Sequence, residues 1–170
     1  YIASEGHNGF ARRAAAWSKA RGVPLDGLPF FKSSRSIVLT DEEQVAQLID
    51  VVEEMAAEYG KPALVVVDTL ARAMGAADEN STQAMGAVIE TVDDIRAEFD
   101  CTVLAVHHTG HGNKERARGS SSLLGAVDCE FRVEKWDDDN DPLAKVEVTW
   151  TKMKDAPMPP VMNCAHLEVD

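Results

Sequence analysis

Cysteine is scarce. The three residues, Cys101, Cys129 and Cys164, are odd in number and widely spaced. They offer no zinc-ligand spacing and suit a reducing cytosol. Long apolar runs are absent too, so no stretch reads as a bilayer span, and the opening residues carry no signal-peptide pattern. A cytoplasmic protein with no membrane partner is expected. Positive charge is also short: 17 Lys and Arg stand against 29 Asp and Glu, a net charge of −12. That argues against a monomer binding nucleic acid over its whole surface, while leaving room for a local basic loop. The remainder is ordinary. With 170 residues, 45% hydrophobic and 27% charged, the chain is long enough for one domain with a real core.

Residues 62–72 organise the rest. Leu64, Val65, Val66 and Val67 run without interruption into one carboxylate, Asp68. A β-branched run without a polar face reads as a strand covered on both sides, as in a parallel sheet, and ligands of such sheets bind beyond the carboxyl ends of the strands. Asp68 stands at that end. This is the form of a Walker B strand, whose Asp orients Mg²⁺ beside a nucleotide phosphate. The plainer alternative is a buried strand with an Asp capping a turn.

In chain order, residues 1–6 read as a short buried strand ending at Glu5, and residues 8–21 as a helix stopped by Gly22 and Pro24. Residues 23–36 are connection, with a short edge strand at Phe30 and Phe31. A brief strand follows at 37–39. Thr40 then caps a helix with Glu43 at the capping-box position. Its apolar face is Val45, Leu48, Ile49, Val52 and Met55, and its end is at Gly60. Residues 69–80 form a small-residue loop in which Arg72 reads as structural. Asn80 and Gln83 open another helix, with a stripe of Met85, Val88, Ile89, Val92, Ile95 and Phe99. Residues 101–106 are a second buried strand ending at His107 and His108. Residues 109–121 are polar, Gly-rich and locally basic, a loop. A helical turn or two at 122–127, a hairpin of strands at 129–135 and 144–151 around a turn at 136–142, and an edge strand within 161–169 complete the chain. Residues 152–157 break the hairpin pattern. The order predicts an α/β fold, a mostly parallel sheet flanked by helices with a C-terminal antiparallel hairpin.

Three strand ends carry polar residues: Glu5, Asp68, and the pair His107 and His108. Parallel strands bring all three to one edge. Hydrolysis of a nucleoside triphosphate needs such parts: a carboxylate to take a proton from water, a Mg²⁺ to offset phosphate charge, and a group that reports the γ-phosphate. Glu5 alternatively caps the helix that follows it, and the histidines alternatively form a satisfied strand-end pair.

Ser-Glu-Gly near the start, Leu-Val-Val-Val-Asp-Thr-Leu-Ala-Arg, Asp-Glu-Asn-Ser, Val-His-His-Thr-Gly and Arg-Gly-Ser-Ser-Ser-Leu follow one another in this order. Together they resemble the RecA-like P-loop ATPase domain of plasmid and phage replicative helicases, above all the hexameric RepA-like helicases and their primase-linked relatives. The resemblance covers residues 1 to 155 or so and implies roles. Glu5 would be the base that activates water. Asp68 would hold Mg²⁺, with Thr69 beside it and Arg118 also toward the nucleotide. His108, rather than His107, would be the γ-phosphate sensor. Lys114, Arg116 and Arg118 would face the channel of a ring and touch single-stranded DNA. Lys152 and Lys154 lie where relatives carry basic fingers that reach the neighbouring subunit's γ-phosphate. An Arg is common there, and lysine offers a point charge instead of a fork; Arg132 competes for the role.

The resemblance requires a phosphate-cradling G-x-x-x-x-G-K-[ST] loop ahead of the Glu5 strand. None stands in these residues; Gly6-His7-Asn8-Gly9 is not one. Tyr1-Ile-Ala-Ser-Glu-Gly reads as a strand already under way. Residues 1–170 are therefore expected to be the C-terminal part of a single RecA-like ATPase domain, its phosphate loop upstream and the fragment alone inactive. The expected whole is an ATP-driven, Mg²⁺-dependent DNA helicase or translocating ATPase of a replication system. It would work as a homo-oligomeric, hexameric ring on single-stranded DNA, with a primase as a further partner. The rival readings are a non-hydrolysing RecA-like assembly or DNA-binding module, and a recombinase-type ATPase.

Overall fold

Two three-stranded sheets carry the chain, one parallel and one antiparallel. The computed structural model describes residues 1–109, 120–136, 145–165 and 169. In order, the elements are β1 (Ile2–Ala3), α1 (His7–Arg21), α2 (Glu42–Tyr59), β2 (Leu64–Asp68), α3 (Leu70–Ala73), α4 (Thr82–Phe99), β3 (Thr102–Val106), α5 (Ser121–Ala126), β4 (Cys129–Trp136), β5 (Lys145–Met153) and β6 (Met162–Ala165). The chain divides into two compact units, Tyr1–Leu123 and Leu124–Asp170. Among the described residues, no helix is long and apolar enough to cross a membrane.

In the first unit the strand order is β1-β2-β3, all parallel. Ala3 pairs with Asp68, and Asp68 with Val106. The residues just past Ala3, Asp68 and Val106 therefore leave the sheet at the same edge. Beneath it lies a core of Ile2, Val65, Val67, Leu70, Met85, Val88, Ile95 and Phe99. The α4 stripe supplies half of that set, as its helical spacing predicts. The expected face of α2 is also the face turned inward: Val45, Leu48, Ile49, Val52 and Met55 are all half-buried. β2 departs from expectation, because it is not covered on both sides. Val65 and Val67 are buried, but Leu64 is 50% exposed, so one face meets the core and the other is only partly covered.

Several local expectations are corrected. No strand forms at 37–39 or at Phe30 and Phe31. Leu39 is buried, but its N–H goes to the Ala73 carbonyl, and the Val38 N–H goes to the Gln44 side chain. The segment is an apolar plug tied to α2 and α3 rather than a sheet member. The cap of α2 is Asp41, not Thr40: its carboxylate accepts from the N–H groups of Glu43 and Gln44, which holds it below the usual carboxylate range. Likewise Ser81, not Asn80, caps α4 by accepting from the Ala84 N–H. Residues 69–80 are not all loop, since α3 occupies their first part. After α3 the chain turns at Gly75, whose φ is +63° and whose Cα faces Val38; a methyl there would meet Val38 Cγ1 at 2.8 Å. Only glycine satisfies both conditions. This tight turn starts the return of residues 76–80 toward the strand ends.

The second unit is an antiparallel sheet of order β4-β5-β6. The expected hairpin forms, and the expected edge strand is β6. β5 continues through Lys152, which pairs with Glu130, so residues 152 and 153 extend the hairpin rather than break it.

Candidate functional site

The parallel register determines which polar groups can meet. Just beyond β1, Glu5 precedes Gly6, whose left-handed φ of 69° turns the chain into α1. Just beyond β2, Thr69 opens α3, with Arg72 one turn later. Two residues beyond β3 stands His108. The three segments converge on a cavity of about 540 Å³ lined by Glu5, Thr69, Arg72, Asp78, Asn80 and His108, among others. Glu5 lies between Arg72 and His108, within charge-contact distance of each. Its Oε2 is 3.8 Å from Arg72 Nε and its Oε1 is 3.9 Å from His108 Nε2. Both distances suit an ion pair and exceed a direct hydrogen bond. The Glu5 side chain is 43% exposed, so water reaches it.

Thr69 is 2% exposed, and its Oγ1 is buried without a hydrogen-bond partner. A buried hydroxyl with no partner costs free energy. Because Thr69 lines the cavity, a polar ligand atom or a water entering there can satisfy it.

Asp68 does not line this cavity. It is half-buried, and one carboxylate oxygen, Oδ2, accepts from the Tyr1 phenol. Burial and this bond to Asp68 push the Tyr1 phenol up to about 12. Tyr1 is itself set by ring contacts with Phe10 and Phe30. Among the described residues no three His, Cys, Asp or Glu side chains gather into a metal cage. Mg²⁺ does not need one: it is bound through one or two carboxylates together with substrate phosphates, and keeps several waters. A hard carboxylate at a strand end, with one oxygen taken by Tyr1, has a second oxygen of the kind such an ion needs.

Of the residues singled out from sequence, Glu5, Thr69 and His108 share the cavity, and Asp68 stands at the neighbouring strand end. His107 is half-buried beside His108. Lys152 and Lys154 belong to the second unit and are engaged there. Lys152 Nζ donates to the carbonyls of Leu124 at 2.5 Å and Gly125 at 3.4 Å, at the C-terminal part of α5, where the helix dipole favours a cation. Lys154 Nζ pairs with Asp128 at 3.1 Å. Arg132 pairs with Glu134 at 2.9 Å. Lys114, Arg116 and Arg118 lie outside the described residues.

Sequence reading gave no site role to Arg72, Asp78, Asn80 or Tyr1. Arg72 had a usable signal: once residues 70–73 are helical, it stands three residues from Thr69, on the same side of the turn. Asp78 gives less away, because its carboxylate is partly used locally, accepting from the Asn80 N–H and side-chain amide. The Tyr1–Asp68 bond spans 67 positions and has no local signature.

A family model described as an AAA domain matches residues 1–114, that is 114 of the 170 residues, and this span contains Glu5, Asp68, Thr69, Arg72 and His108. None of the curated proteins compared with the chain matches it.

Proposed function

The chain belongs to the AAA domain family, and on that premise we propose that it is the motor domain of a DNA helicase or DNA-translocating ATPase of a replication system. At the family level it is a P-loop ATPase-type domain, and domains of this family generally use ATP with Mg²⁺. The finer reading, a RepA-like helicase ring, is supported above all by the convergence of Glu5, Thr69 and His108 on one cavity at the edge where Asp68 ends β2.

In this reading Glu5 takes the proton of a water molecule as its oxygen attacks the γ-phosphorus, and the bond to the β-phosphate oxygen breaks to release ADP. Thr69 helps to seat the water or a phosphate oxygen through its partnerless hydroxyl. Asp68 would hold Mg²⁺, which would offset charge on the phosphates. His108 senses the γ-phosphate at the start of the segment that leads to Lys114, Arg116 and Arg118. Those three residues contact single-stranded DNA, and Arg118 also approaches the nucleotide. A ring focuses their charge in one channel, which a monomer with a net charge of −12 cannot do. Lys152 or Lys154 serves the neighbouring subunit's site after release from its present partner, and a primase is a natural companion of such a ring.

We propose that residues 1–170 belong to one ATPase domain, whose phosphate-cradling loop lies on a further parallel strand. β3 supports this reading: among the described residues it pairs only with β2, and Val106 at its end is 38% exposed. Its free edge can accept a further parallel strand. The rival readings are a non-hydrolysing assembly or DNA-binding module and a recombinase-type ATPase.

Strand displacement separates the readings. The intact gene product is expected to unwind a forked duplex with Mg-ATP and to fail with a non-hydrolysable analogue. Turnover on single-stranded DNA without displacement would favour the recombinase-type ATPase, and neither activity would favour the non-hydrolysing module.

A further inference from the structure

We propose that Arg72 is a positioning residue for the base, holding the Glu5 carboxylate oxygen that His108 does not approach. The inference rests on the reading of Glu5 as the base. Among the described residues, no hydrogen bond fixes the Glu5 carboxylate. Two side chains approach it, one per oxygen: Arg72 Nε, a permanent cation, at 3.8 Å from Oε2 and His108 Nε2 at 3.9 Å from Oε1. The two jaws differ in kind. His108 lies two residues past β3, on the chain that leaves the sheet there. Arg72 is permanently charged, and its backbone is immobilised. It sits in α3 between Leu70, 1% exposed, and Ala73, fully buried, with Met74 1% exposed directly after. The Arg72 side chain, by contrast, is 71% exposed. A buried backbone anchor thus carries an exposed guanidinium to Glu5 at the rim of the cavity.

This arrangement gives Arg72 a task that His108 cannot perform. A γ-phosphate sensor must leave Glu5 when it engages nucleotide. Arg72 then remains as the fixed contact that keeps the carboxylate directed at the cavity, where the partnerless Thr69 hydroxyl can hold the water to be deprotonated. Without Arg72 the base is released into solvent whenever His108 turns away. Because both contacts are exposed, the pair adds little to folding stability, and its value lies in orientation.

The test is steady-state ATP hydrolysis by the intact gene product, wild type beside Arg72→Ala, Arg72→Lys, Glu5→Gln and the double variant Glu5→Gln/Arg72→Ala. Arg72→Ala is expected to lower kcat by roughly 10- to 100-fold, the scale of a misplaced catalytic group. KM for ATP should stay within about twofold, because ground-state binding is untouched, and Tm within about 2 °C. Arg72→Lys should recover part of kcat, since it keeps the charge. The double variant should be no slower than Glu5→Gln alone, because a contact to Glu5 has no effect once the base is gone. Wild-type kcat in Arg72→Ala, with Glu5→Gln inactive, would overturn the positioning role and leave the base reading intact. A raised KM with unchanged kcat would make Arg72 a phosphate ligand and overturn the proposal. A loss in Arg72→Ala matched by a fall in Tm, with no recovery in Arg72→Lys, would make the role structural. Full turnover in Glu5→Gln would remove the base reading, and the proposal with it.

Discussion

Glu5→Gln is expected to lose ATP turnover while keeping ATP binding. The substitution preserves shape and removes the one property the proposed role needs, a carboxylate that accepts a proton. General-base contributions are about 10²- to 10⁴-fold, so kcat should fall by at least two orders of magnitude. Binding should survive, because Glu5 meets water rather than the phosphates in this account. The fold should survive too: the side chain is 43% exposed, and its two charge contacts are 3.8 and 3.9 Å long, in the range where ion pairs add little stability. Phosphate release and equilibrium binding of a fluorescent ATP analogue, measured on the same preparation, separate the two effects. Wild-type turnover would remove Glu5 as base and leave the alternative, a residue at the entry to α1 with no chemical part.

Asp68→Ala should have the second large effect, of a different kind. Loss of the carboxylate removes the proposed hold on Mg²⁺, so turnover should fall by about 10³-fold or more and the metal requirement should shift to higher Mg²⁺, since the charge that offsets the ion is gone. The substitution also deprives the Tyr1 phenol of its acceptor. That provides a local check that the site, and not the whole fold, has changed. The phenol titrates near 12 in the folded protein, against an ordinary 10. A raised phenol contributes stability that is complete below the unfolded value and is lost as pH rises through the folded one. Wild type should therefore lose a share of its stability between about pH 10 and 12. Asp68→Ala should lose less in that window, keeping only the part due to burial. Ultraviolet-monitored tyrosine titration with parallel denaturation measures both. Undiminished Mg-ATP turnover in Asp68→Ala would contradict the assignment.

The features legible in the sequence were those with one dominant cause. The stripe of α4 and the face of α2 are apolar at helical spacing, and burial followed that spacing. β2 and β3 were legible as strands, apolar runs bounded by polar ends, but not in their burial, since β2 is covered on one face and no residue of β3 is fully buried; parallel pairing then fixed which ends meet. The failures arise where two causes compete. Residues 37–39 are as apolar as a strand, yet their backbone groups are taken by Gln44 and Ala73, so burial without pairing looked like a strand. α3 is only four residues long, too short to show a period. At α2 and α4 the composition pointed to a cap, but two neighbouring residues of each segment were chemically able to serve, and the choice fell one residue further along. Arg72 was illegible as a site residue because its importance depends on α3 existing, and Tyr1 because a contact across 67 positions leaves no local trace.

The account stands on a Mg-ATP hydrolase at the edge that carries Glu5, Asp68 and His108. The most direct test is phosphate release from ATP by the intact gene product, with and without Mg²⁺ and single-stranded DNA. Mg²⁺-dependent turnover that single-stranded DNA accelerates is expected. No turnover under any of these conditions would contradict it and leave a RecA-like shell that assembles without hydrolysing.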